Sequence, residues 1–276
     1  MSQQKRAAAL RRLHQPGPLV LPNAWDATSA RLIERAGAQA IATTSAGVSW
    51  ALGHSDGEGL EREPMVAAIQ AIAEAVEIPV TADIESGYGT GTPRDVYETV
   101  SAVLEAGAVG INLEDAPGAG DSPLLEPEAQ AERLRAARSA AQERNVDLFI
   151  NARTDVYLRA VGDPEGRADE VMQRAASYLQ AGADSVFVPG VADAATIASL
   201  VAGIDAPLNV MAGPGSPTVQ ELAELSVARV SLGPGLTLGA FGWIERVARE
   251  VLANGTYDHL GQGLTYPEAN EIFRSV

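Results

Sequence analysis

Eight short apolar segments alternate with longer amphipathic segments along this chain, and this alternation most limits the folds that it can adopt. The short segments are bounded by Gly, Pro, Asp or Asn, and most contain β-branched residues, which is typical of buried parallel strands. The predicted strands are residues 19–24, 40–45, 79–85, 109–115, 148–155, 185–189, 207–212 and 229–233. The amphipathic segments predict helices over residues 27–36, 64–76, 93–106, 127–144, 167–181, 194–202 and 217–225.

Strand–helix alternation repeated eight times predicts an α/β fold of the (β/α)₈ TIM-barrel type, with a doubly wound parallel sheet as the alternative. The chain has 276 residues, and one such barrel typically needs about 250. We therefore predict a single domain over residues 1–276. Residues 1–16 are predicted to be an N-terminal extension that forms a mobile tail. Residues 241–276 are predicted to form C-terminal helices beyond the barrel that pack on a neighbouring subunit.

Helix caps are also readable from the sequence. Thr92 and Ser216 each precede a proline, which predicts that they are N-caps of helices whose first residue is Pro93 or Pro217.

The composition argues against several kinds of chemistry. The formal net charge of −16 argues against binding to nucleic acids and anionic membranes, because both need clustered Lys and Arg. There is no cysteine and the only lysine is Lys5, which argues against a thiol nucleophile and a Schiff-base lysine. His14, His54 and His259 are scattered and form no obvious zinc set. No apolar run approaches the ~18 residues that span a bilayer, and residues 1–15 contain no signal-peptide core, so we expect a cytoplasmic protein.

Polar side chains gather at the C-terminal ends of the predicted strands, where barrel enzymes place their active sites. Asp83 and Glu85 end the third strand, Glu114 ends the fourth and Arg153 ends the fifth. Asp83 and Glu85 point the same way, because side chains alternate along a strand. Converging carboxylates repel one another unless a cation binds them, and oxygen ligands favour Mg²⁺ or Mn²⁺. Arg153 offers a rigid fork of N–H groups to a substrate carboxylate.

Several residues near these strand ends have two interpretations. A single acid at a strand end is also compatible with an ion pair. Asp26 and Asp155 either belong to the site or cap helices and pair with arginines. His54 lies in a Gly-rich loop and is either a surface residue or a catalytic one. Trp25 and Met211 are either packing residues or parts of a pocket wall.

An ordered set of motifs extends over nearly all of the barrel: residues 22–26 (PNAWD), 44–47 (TSAG), 83–89 (DIESGYG), 112–115 (NLED), 151–155 (NARTD) and 230–233 (VSLG). In the order and spacing of these motifs, the chain resembles the isocitrate lyase/phosphoenolpyruvate mutase superfamily. The resemblance implies a Mg²⁺-dependent barrel enzyme that works through enolate or oxyanion intermediates of pyruvate-like 2-oxo acids. It also implies a homotetramer, a dimer of dimers in which the C-terminal helix is swapped between subunits.

The resemblance implies roles for individual acids and for one arginine. Asp56, Asp83, Glu85 and Glu114 fall where the family arranges acids around the metal, some of them through water. We expect Asp83, Glu85 and Glu114 to be the metal ligands, with Asp83 also close to the substrate. Asp56 and Glu114 are expected to take part in catalysis. Arg153 matches the arginine that balances the charge of the oxyanion and binds the substrate.

The resemblance also implies a set of substrate contacts. Ser45, Ala46 and Gly47 match the segment whose backbone amides and hydroxyl hold the substrate carboxylate. Asn209 matches a polar substrate contact, and Trp25 aligns with an aromatic pocket residue.

The loop after the fourth strand departs from the family pattern. Isocitrate and methylisocitrate lyases carry Lys-Lys-Cys-Gly-His there, with the cysteine as catalytic acid, whereas residues 116–123 read APGAGDSP. Those lyases also place a glutamate at the end of the sixth strand, where residues 188–190 read VPG. Asp121, Ser122 or a bound water is therefore expected to replace the missing acid–base group.

These features predict a carbon–carbon bond lyase that acts on a small 2-oxo or 2-hydroxy di- or tricarboxylate and binds 2-oxo acids such as pyruvate, oxaloacetate or 2-oxoglutarate. An oxaloacetate-type decarboxylase or hydrolase, or an enzyme that cleaves the P–C bond of phosphonopyruvate, is the alternative from the same class. A non-catalytic 2-oxo acid binder, which keeps the pocket without the loop chemistry, is the alternative from a different class.

Overall fold

Nine short parallel strands hydrogen-bond in a ring in the computed structural model, which describes residues 1–14, 17–117 and 122–274. Only Pro22 separates β1 from β2, and proline has no N–H for a sheet hydrogen bond, so the two segments occupy one strand position between β9 and β3. The ring thus has eight positions, and the predicted barrel is confirmed. The strands are β1 Leu19–Leu21, β2 Asn23–Ala24, β3 Ile41–Thr43, β4 Val80–Asp83, β5 Gly110–Glu114, β6 Phe149–Arg153, β7 Ser185–Val188, β8 Leu208–Met211 and β9 Arg229–Ser231.

Helices surround the ring and alternate with its strands. The α-helices are α1 Gln3–Leu13, α2 Ala27–Arg35, α3 Ser45–Ala51, α4 Arg62–Ala75, α5 Pro93–Glu105, α6 Pro127–Glu143, α7 Arg167–Gln180, α8 Ala194–Gly203, α9 Val219–Glu224, α10 Gly235–Asn254 and α11 Tyr266–Phe273. Short 3₁₀ helices cover Pro164–Gly166 and Asp258–Gln262. Every helix predicted between strands is present, and the unpredicted α1 and α3 are added to them.

Capping residues set the starts of these helices. Thr92 caps α5 in a reciprocal arrangement with Asp95, as predicted. The predicted cap at Ser216 is wrong, because its hydroxyl instead accepts a hydrogen bond from the Gly213 amide in the preceding turn. Thr218 caps α9 in its place, two residues further along the chain.

The N-terminal segment forms α1, so the prediction of a mobile tail is wrong. Leu10 of α1 is fully buried, and a Cβ on Gly110 at the start of β5 would lie 2.7 Å from Leu10 Cδ2. His14 stacks on Phe149 of β6, with 3.9 Å between the ring centroids. The helix therefore covers the N-terminal end of the barrel. Its buried residues recur at helical spacing, a pattern that the surrounding arginines and glutamines obscure in the sequence.

The apolar core lies between the strands and the helices, whereas the inside of the ring is polar. Ile111 and Leu113 of β5 are fully buried in the apolar core. Asn112 between them faces the inside of the ring, where Asn151 and Arg229 are also buried. Branched apolar side chains fill most barrels of this type. This barrel departs from that pattern, and its inner residue Asn112 lines a cavity at the C-terminal ends of the strands.

The C-terminal helices follow the barrel as predicted. Arg31 of α2 donates to the Ile272 carbonyl at 3.0 Å, and its guanidinium lies 5.8 Å from the Phe273 ring centroid. Helix α11 thus contacts α2 of its own chain, and the packing of residues 241–276 on a neighbouring subunit stays a prediction. Within the described ranges, none of the helices combines the length and the apolar character that a membrane crossing requires.

Candidate active site

A cavity of about 230 Å³ opens at the C-terminal ends of the strands. The part of the ring from β3 to β6 contributes mainly polar groups to it, among them Ser45, Asp56, Asp83, Asn112 and Arg153. The part from the β6–α7 loop to the β9–α10 loop contributes mainly apolar groups, among them Leu158, Phe187, Pro189, Met211 and Pro234. A ligand in this cavity therefore meets charged groups on one side and apolar groups on the other.

Asp83, the last residue of β4, has one paired and one unpaired carboxylate oxygen. Its Oδ2 accepts hydrogen bonds from the Ser45 hydroxyl at 2.8 Å and from the Ser45 amide at 3.2 Å. Its amide donates to Thr43 Oγ1 at 2.9 Å, which ties β4 to β3. Its Oδ1 is buried and has no hydrogen-bond partner. Because a buried polar atom without a partner is unfavourable, Oδ1 is placed to bind a cation or a donor of the substrate.

Glu85 lies in the β4–α5 loop with a left-handed backbone, at a φ of 49°. Its Oε2 accepts from the Glu58 amide at 2.5 Å, and its Oε1 accepts from the Tyr88 hydroxyl at 3.1 Å. Burial, followed by the charge of Asp83, raises the pKa of Glu85 to about 7. The Glu58 carboxylate accepts from the Ser86 hydroxyl at 2.5 Å and from the Tyr88 amide at 3.0 Å. These hydrogen bonds hold the β4–α5 loop against the loop that precedes α4.

Arg153, the last residue of β6, is held by two carboxylates. Its Nη1 lies 2.8 Å from Glu114 Oε2, and its Nε and Nη2 donate to the two oxygens of Asp155 at 2.6 and 3.0 Å. Burial lowers the pKa of Arg153, but Glu114 and Asp155 outweigh burial and hold this pKa above its ordinary value. A guanidinium has five N–H donors, so donors remain for a substrate oxyanion. Asp155 therefore has the arginine-pairing role and orients Arg153.

Acids outnumber cations around the cavity. Asp56 and Asp83 line it, and Arg153 is the one arginine among its lining residues in the described chain. Burial raises the pKa of Glu114, and the Arg153 charge only partly opposes this rise. Burial also raises the pKa of Asp56, with a further contribution from Asp83. The excess of negative charge favours the binding of a cation.

The acids suit Mg²⁺ in their chemistry. All are hard oxygen donors, and Asp83 Oδ1 has no other partner. Glu85 and Glu114 are engaged by neighbouring donors, and no three acids or histidines of the described residues stand together at ligand spacing. Mg²⁺ usually keeps several waters, so one direct carboxylate with the other acids acting through water is compatible with this arrangement. The ligand set of Asp83, Glu85 and Glu114 stays a prediction.

The segment predicted to hold the substrate carboxylate begins α3. Ser45 and Ala46 line the cavity. The Gly47 amide donates to Thr44 Oγ1 at 3.3 Å. A Cβ on Gly47 would lie 2.6 Å from Thr237 Oγ1 and 3.0 Å from Trp25 Cβ. Close packing thus explains this glycine, and Trp25 lies beside it and not among the residues that line the cavity.

Three further predicted residues lie away from the cavity or outside the described residues. Asn209 is fully buried, donates to Ser231 Oγ at 3.1 Å and does not line the cavity. The Ser122 hydroxyl donates to the Leu124 carbonyl at 2.7 Å. Asp121 lies outside the described residues. The roles proposed for them stay predictions.

Other residues of the site were not predicted from the sequence. Phe187 lines the cavity, and its ring centroid lies 5.9 Å from the Arg153 guanidinium. Strand alternation with Ser185 could have placed it on the inner face. Leu158 and Glu58 lie in loops, where no periodic pattern indicates which way a side chain points.

The chain is similar to known proteins over most of its length. The sequence model of phosphoenolpyruvate phosphomutase matches residues 10–252. The 2-methylisocitrate lyase of Escherichia coli (strain K12) is 31% identical over 290 residues, covering 96% of this chain and 93% of the relative. The 2,3-dimethylmalate lyase of Eubacterium barkeri is 34% identical over 188 residues, covering 66% of this chain and 62% of the relative. A crystal structure from Burkholderia cenocepacia J2315, described as a lyase/mutase, has a TM-score of 0.92 and 38% identity over 99% of this chain and 97% of that chain.

Proposed function

Because the chain belongs to the phosphoenolpyruvate phosphomutase family, within the isocitrate lyase/phosphoenolpyruvate mutase superfamily of lyase and mutase enzymes, we propose that it is a Mg²⁺-dependent carbon–carbon bond lyase. The proposed substrate is a small 2-oxo or 2-hydroxy di- or tricarboxylate, and the proposed intermediate is an enolate. One observation carries the proposal: Asp83, with its unpaired Oδ1, and the Arg153 guanidinium line the same cavity. Cleavage of a bond beside a 2-oxo group leaves an enolate oxygen, which cationic groups stabilise.

Arg153 is proposed to bind that oxygen. Glu114 and Asp155 hold its guanidinium in place, so it needs no rearrangement when charge develops on the substrate. Ser45 and Ala46 are proposed to bind a substrate carboxylate at the start of α3. The apolar side of the cavity is proposed to keep water from the bound substrate, which would strengthen the electrostatic interactions.

Asp83 is proposed to hold Mg²⁺ through Oδ1, with Glu85 and Glu114 acting directly or through water. Bound Mg²⁺ would supply Lewis-acid stabilisation of the developing enolate oxygen.

Cleavage of a 2-hydroxy acid also needs two proton transfers. A base takes the hydroxyl proton of the fragment that leaves as a carbonyl compound, and an acid protonates the enolate carbon of the other fragment. Asp56 lines the cavity, and burial raises its pKa, so we propose it for one of these transfers. Asp121 and Ser122 are the candidates from the loop after β5.

The proposal is tested by incubating the protein and Mg²⁺ with oxaloacetate, isocitrate, 2-methylisocitrate or 2,3-dimethylmalate, and by measuring 2-oxo acid products. We expect product from at least one 2-hydroxy acid and its loss when EDTA removes the metal. Asp83→Asn keeps the shape of the side chain but removes its charge, so kcat should fall about 100-fold or more. Asp205→Asn, at an exposed position, is the matched control. Absence of product from every substrate, or turnover that survives EDTA, contradicts the proposal.

Oxaloacetate decarboxylation is the second candidate, and the loop after β5 favours it. Residues 116–125 contain no thiol, lysine or histidine. Loss of CO₂ from oxaloacetate leaves the pyruvate enolate directly, so no base is needed to remove a hydroxyl proton. Arg153 would stabilise this enolate in the same way. Release of CO₂ and pyruvate from oxaloacetate, without cleavage of any 2-hydroxy acid, would identify this activity.

Two further results would redirect the proposal. Phosphate release from phosphonopyruvate would identify a P–C bond enzyme. A melting temperature raised by pyruvate, oxaloacetate or 2-oxoglutarate with Mg²⁺, in the absence of any turnover, would identify a binder.

A further inference from the structure

Arg229, the first residue of β9, lies inside the barrel with no carboxylate partner among the described residues. It is fully buried, and its Nη1 has no hydrogen-bond partner. Its Nη2 donates to Asn112 Oδ1 at 3.2 Å, and its Nε donates to Ser231 Oγ at 3.4 Å. Burial lowers its pKa to about 9, which the charge of Asp83 partly opposes. A buried cation without a counter-ion is unfavourable for folding, so stability does not explain this arginine.

Asn112 connects Arg229 to the cavity. The Asn112 side chain lines the cavity, whereas Arg229 does not. Asn112 pairs in register with Asp83 on one side and with Asn151 on the other. Its Oδ1 also accepts from Asn151 Nδ2 at 2.8 Å, and Asn151 Oδ1 accepts from the Ser185 hydroxyl at 2.6 Å. A chain of hydrogen-bonded polar side chains therefore crosses the inside of the barrel and ends at the cavity.

The direction of these hydrogen bonds decides which end of the Asn112 amide faces the cavity. An arginine can only donate hydrogen bonds, so Asn112 must turn its oxygen toward Arg229. Both lone pairs of that oxygen are then used, one by Arg229 and one by Asn151. The Nδ2 group is left to donate into the cavity. Without Arg229 the orientation would be open, because amide oxygen and nitrogen exchange places by a half-turn of the side chain.

We propose that Arg229 is a positioning residue that fixes Asn112 with its Nδ2 group toward the cavity, where this group donates to an anionic oxygen of the substrate beside Asp83. Asn112 is then a substrate contact. Arg229 does not line the cavity, and it acts by fixing the orientation of the Asn112 amide. The inference rests on the proposed function for the anionic nature of the substrate. It adds a donor to the oxyanion-binding N–H groups that Arg153 supplies.

The first test replaces the donor with an acceptor of the same shape. Asn112→Asp can still accept from Arg229 and Asn151, and it gives Arg229 a counter-ion. We therefore expect the melting temperature to rise by about 2 °C or more. Oxalate, a planar analogue of the pyruvate enolate, should bind at least about tenfold more weakly in the presence of Mg²⁺, because a lost hydrogen bond to a charged group is worth that much. A residue that serves the fold alone would not combine a gain in stability with a loss of ligand affinity.

The second test separates Arg229 from the ligand. Arg229→Met removes the donors, so oxalate affinity measured calorimetrically with Mg²⁺ should fall about tenfold. Arg229→Lys also can only donate, and it should restore most of the affinity. In an Asn112→Ala background the Arg229→Met change should cause no additional loss, because Arg229 acts through Asn112. Circular dichroism and the melting temperature check the fold of each variant. If Arg229→Met does not fold, the test uses the other two variants: Arg229→Lys should keep most of the oxalate affinity, and Asn112→Asp should lose it.

Three results would overturn the inference: unchanged oxalate affinity in Arg229→Met, additive losses in the double variant, or an Asn112→Asp protein that binds oxalate as the unaltered protein does. If the unaltered protein binds no oxalate, the proposed function and the substrate contact both fail. The lack of a counter-ion for Arg229 is then still tested, because a melting temperature that does not rise in Asn112→Asp contradicts it.

Discussion

Replacement of His14 by phenylalanine is expected to protect the protein against unfolding in acid. His14 is 4% exposed, its Nδ1 lies 2.9 Å from the Leu10 carbonyl oxygen, and its Nε2 has no hydrogen-bond partner. Burial, followed by the charge of Arg229, lowers the pKa of His14 from 6.5 to about 4. Between these values the unfolded chain binds a proton that the folded chain does not bind. Stability is therefore lost as the pH falls from about 6.5 toward 4.

The magnitude follows from the two pKa values of His14. One pKa unit corresponds to about 1.4 kcal/mol, so the effect amounts to about 3 kcal/mol below pH 4 and about 2 kcal/mol at pH 5. Phenylalanine keeps the stacking on Phe149 and binds no proton. It loses the hydrogen bond to the Leu10 carbonyl, so His14→Phe should lie within about 1 kcal/mol of the unaltered protein at pH 8. Urea unfolding at pH 5 and pH 8 measures both differences.

The comparison of the two proteins isolates His14 because all other groups titrate in both. The pKa of Glu85 is raised to about 7, so its contribution to stability is present at low pH and is lost as the pH rises through 7. This opposite trend cancels in the difference between the two proteins. His54→Phe, at an exposed position, is the control. The reasoning is refuted if stability changes between pH 8 and pH 5 by the same amount in His14→Phe and in the unaltered protein.

Three other predictions concern catalysis, packing and assembly. Arg153→Lys keeps the charge but loses the fork of N–H groups, so kcat/KM should fall about 100-fold or more in steady-state assays. Gly110→Ala would place a Cβ 2.7 Å from Leu10 Cδ2, so urea unfolding should show a loss of about 1–3 kcal/mol. Gly166→Ala, where a Cβ meets nothing within 4 Å, should show no such loss. Removal of residues 256–276 should lower the number of subunits, measured by light scattering, below the four of the predicted helix-swapped tetramer.

The strands of the barrel could be predicted because each is a separate apolar run between turn-forming residues. Every predicted run contains an observed strand. Helix α3 could not be predicted, because Ser45 follows β3 after only Thr44 and no polar segment marks the change. Helix α1 could not be predicted, because it buries only Ala7 and Leu10 against the barrel. A short buried face of this kind gives a weak periodic signal.

Asp83, Glu114 and Arg153 could be predicted because they end β4, β5 and β6, where alternation fixes the direction of a side chain. Glu85 lies beyond the end of β4 with a left-handed backbone, so alternation does not set its direction.

The hydrogen-bond partners of these residues could not be predicted in this way. Glu58 lies 27 residues before Glu85 and binds it through a backbone amide, a contact that depends on how two loops pack. The orientation of Asn112 depends on Arg229, which is 117 residues away in the chain. Such contacts are set by tertiary structure and leave no local pattern.

Two arginines stand at different depths in this barrel and differ in their partners. Arg153 stands at the level of Glu114 in the β5–β6 register and is neutralised by carboxylates. Arg229 stands at the start of β9 and has no carboxylate partner in the described chain. Its charge therefore acts on other buried groups, because the low dielectric constant of a protein interior weakens electrostatic interactions little. Burial is the main cause of the lowered pKa of His14 at one end of the barrel, and the charge of Arg229 adds to it. Arg229 also donates to Asn112, which lines the cavity at the other end. One buried cation thus contributes to the predicted acid sensitivity of the N-terminal end and to the anion binding that we propose for the C-terminal end.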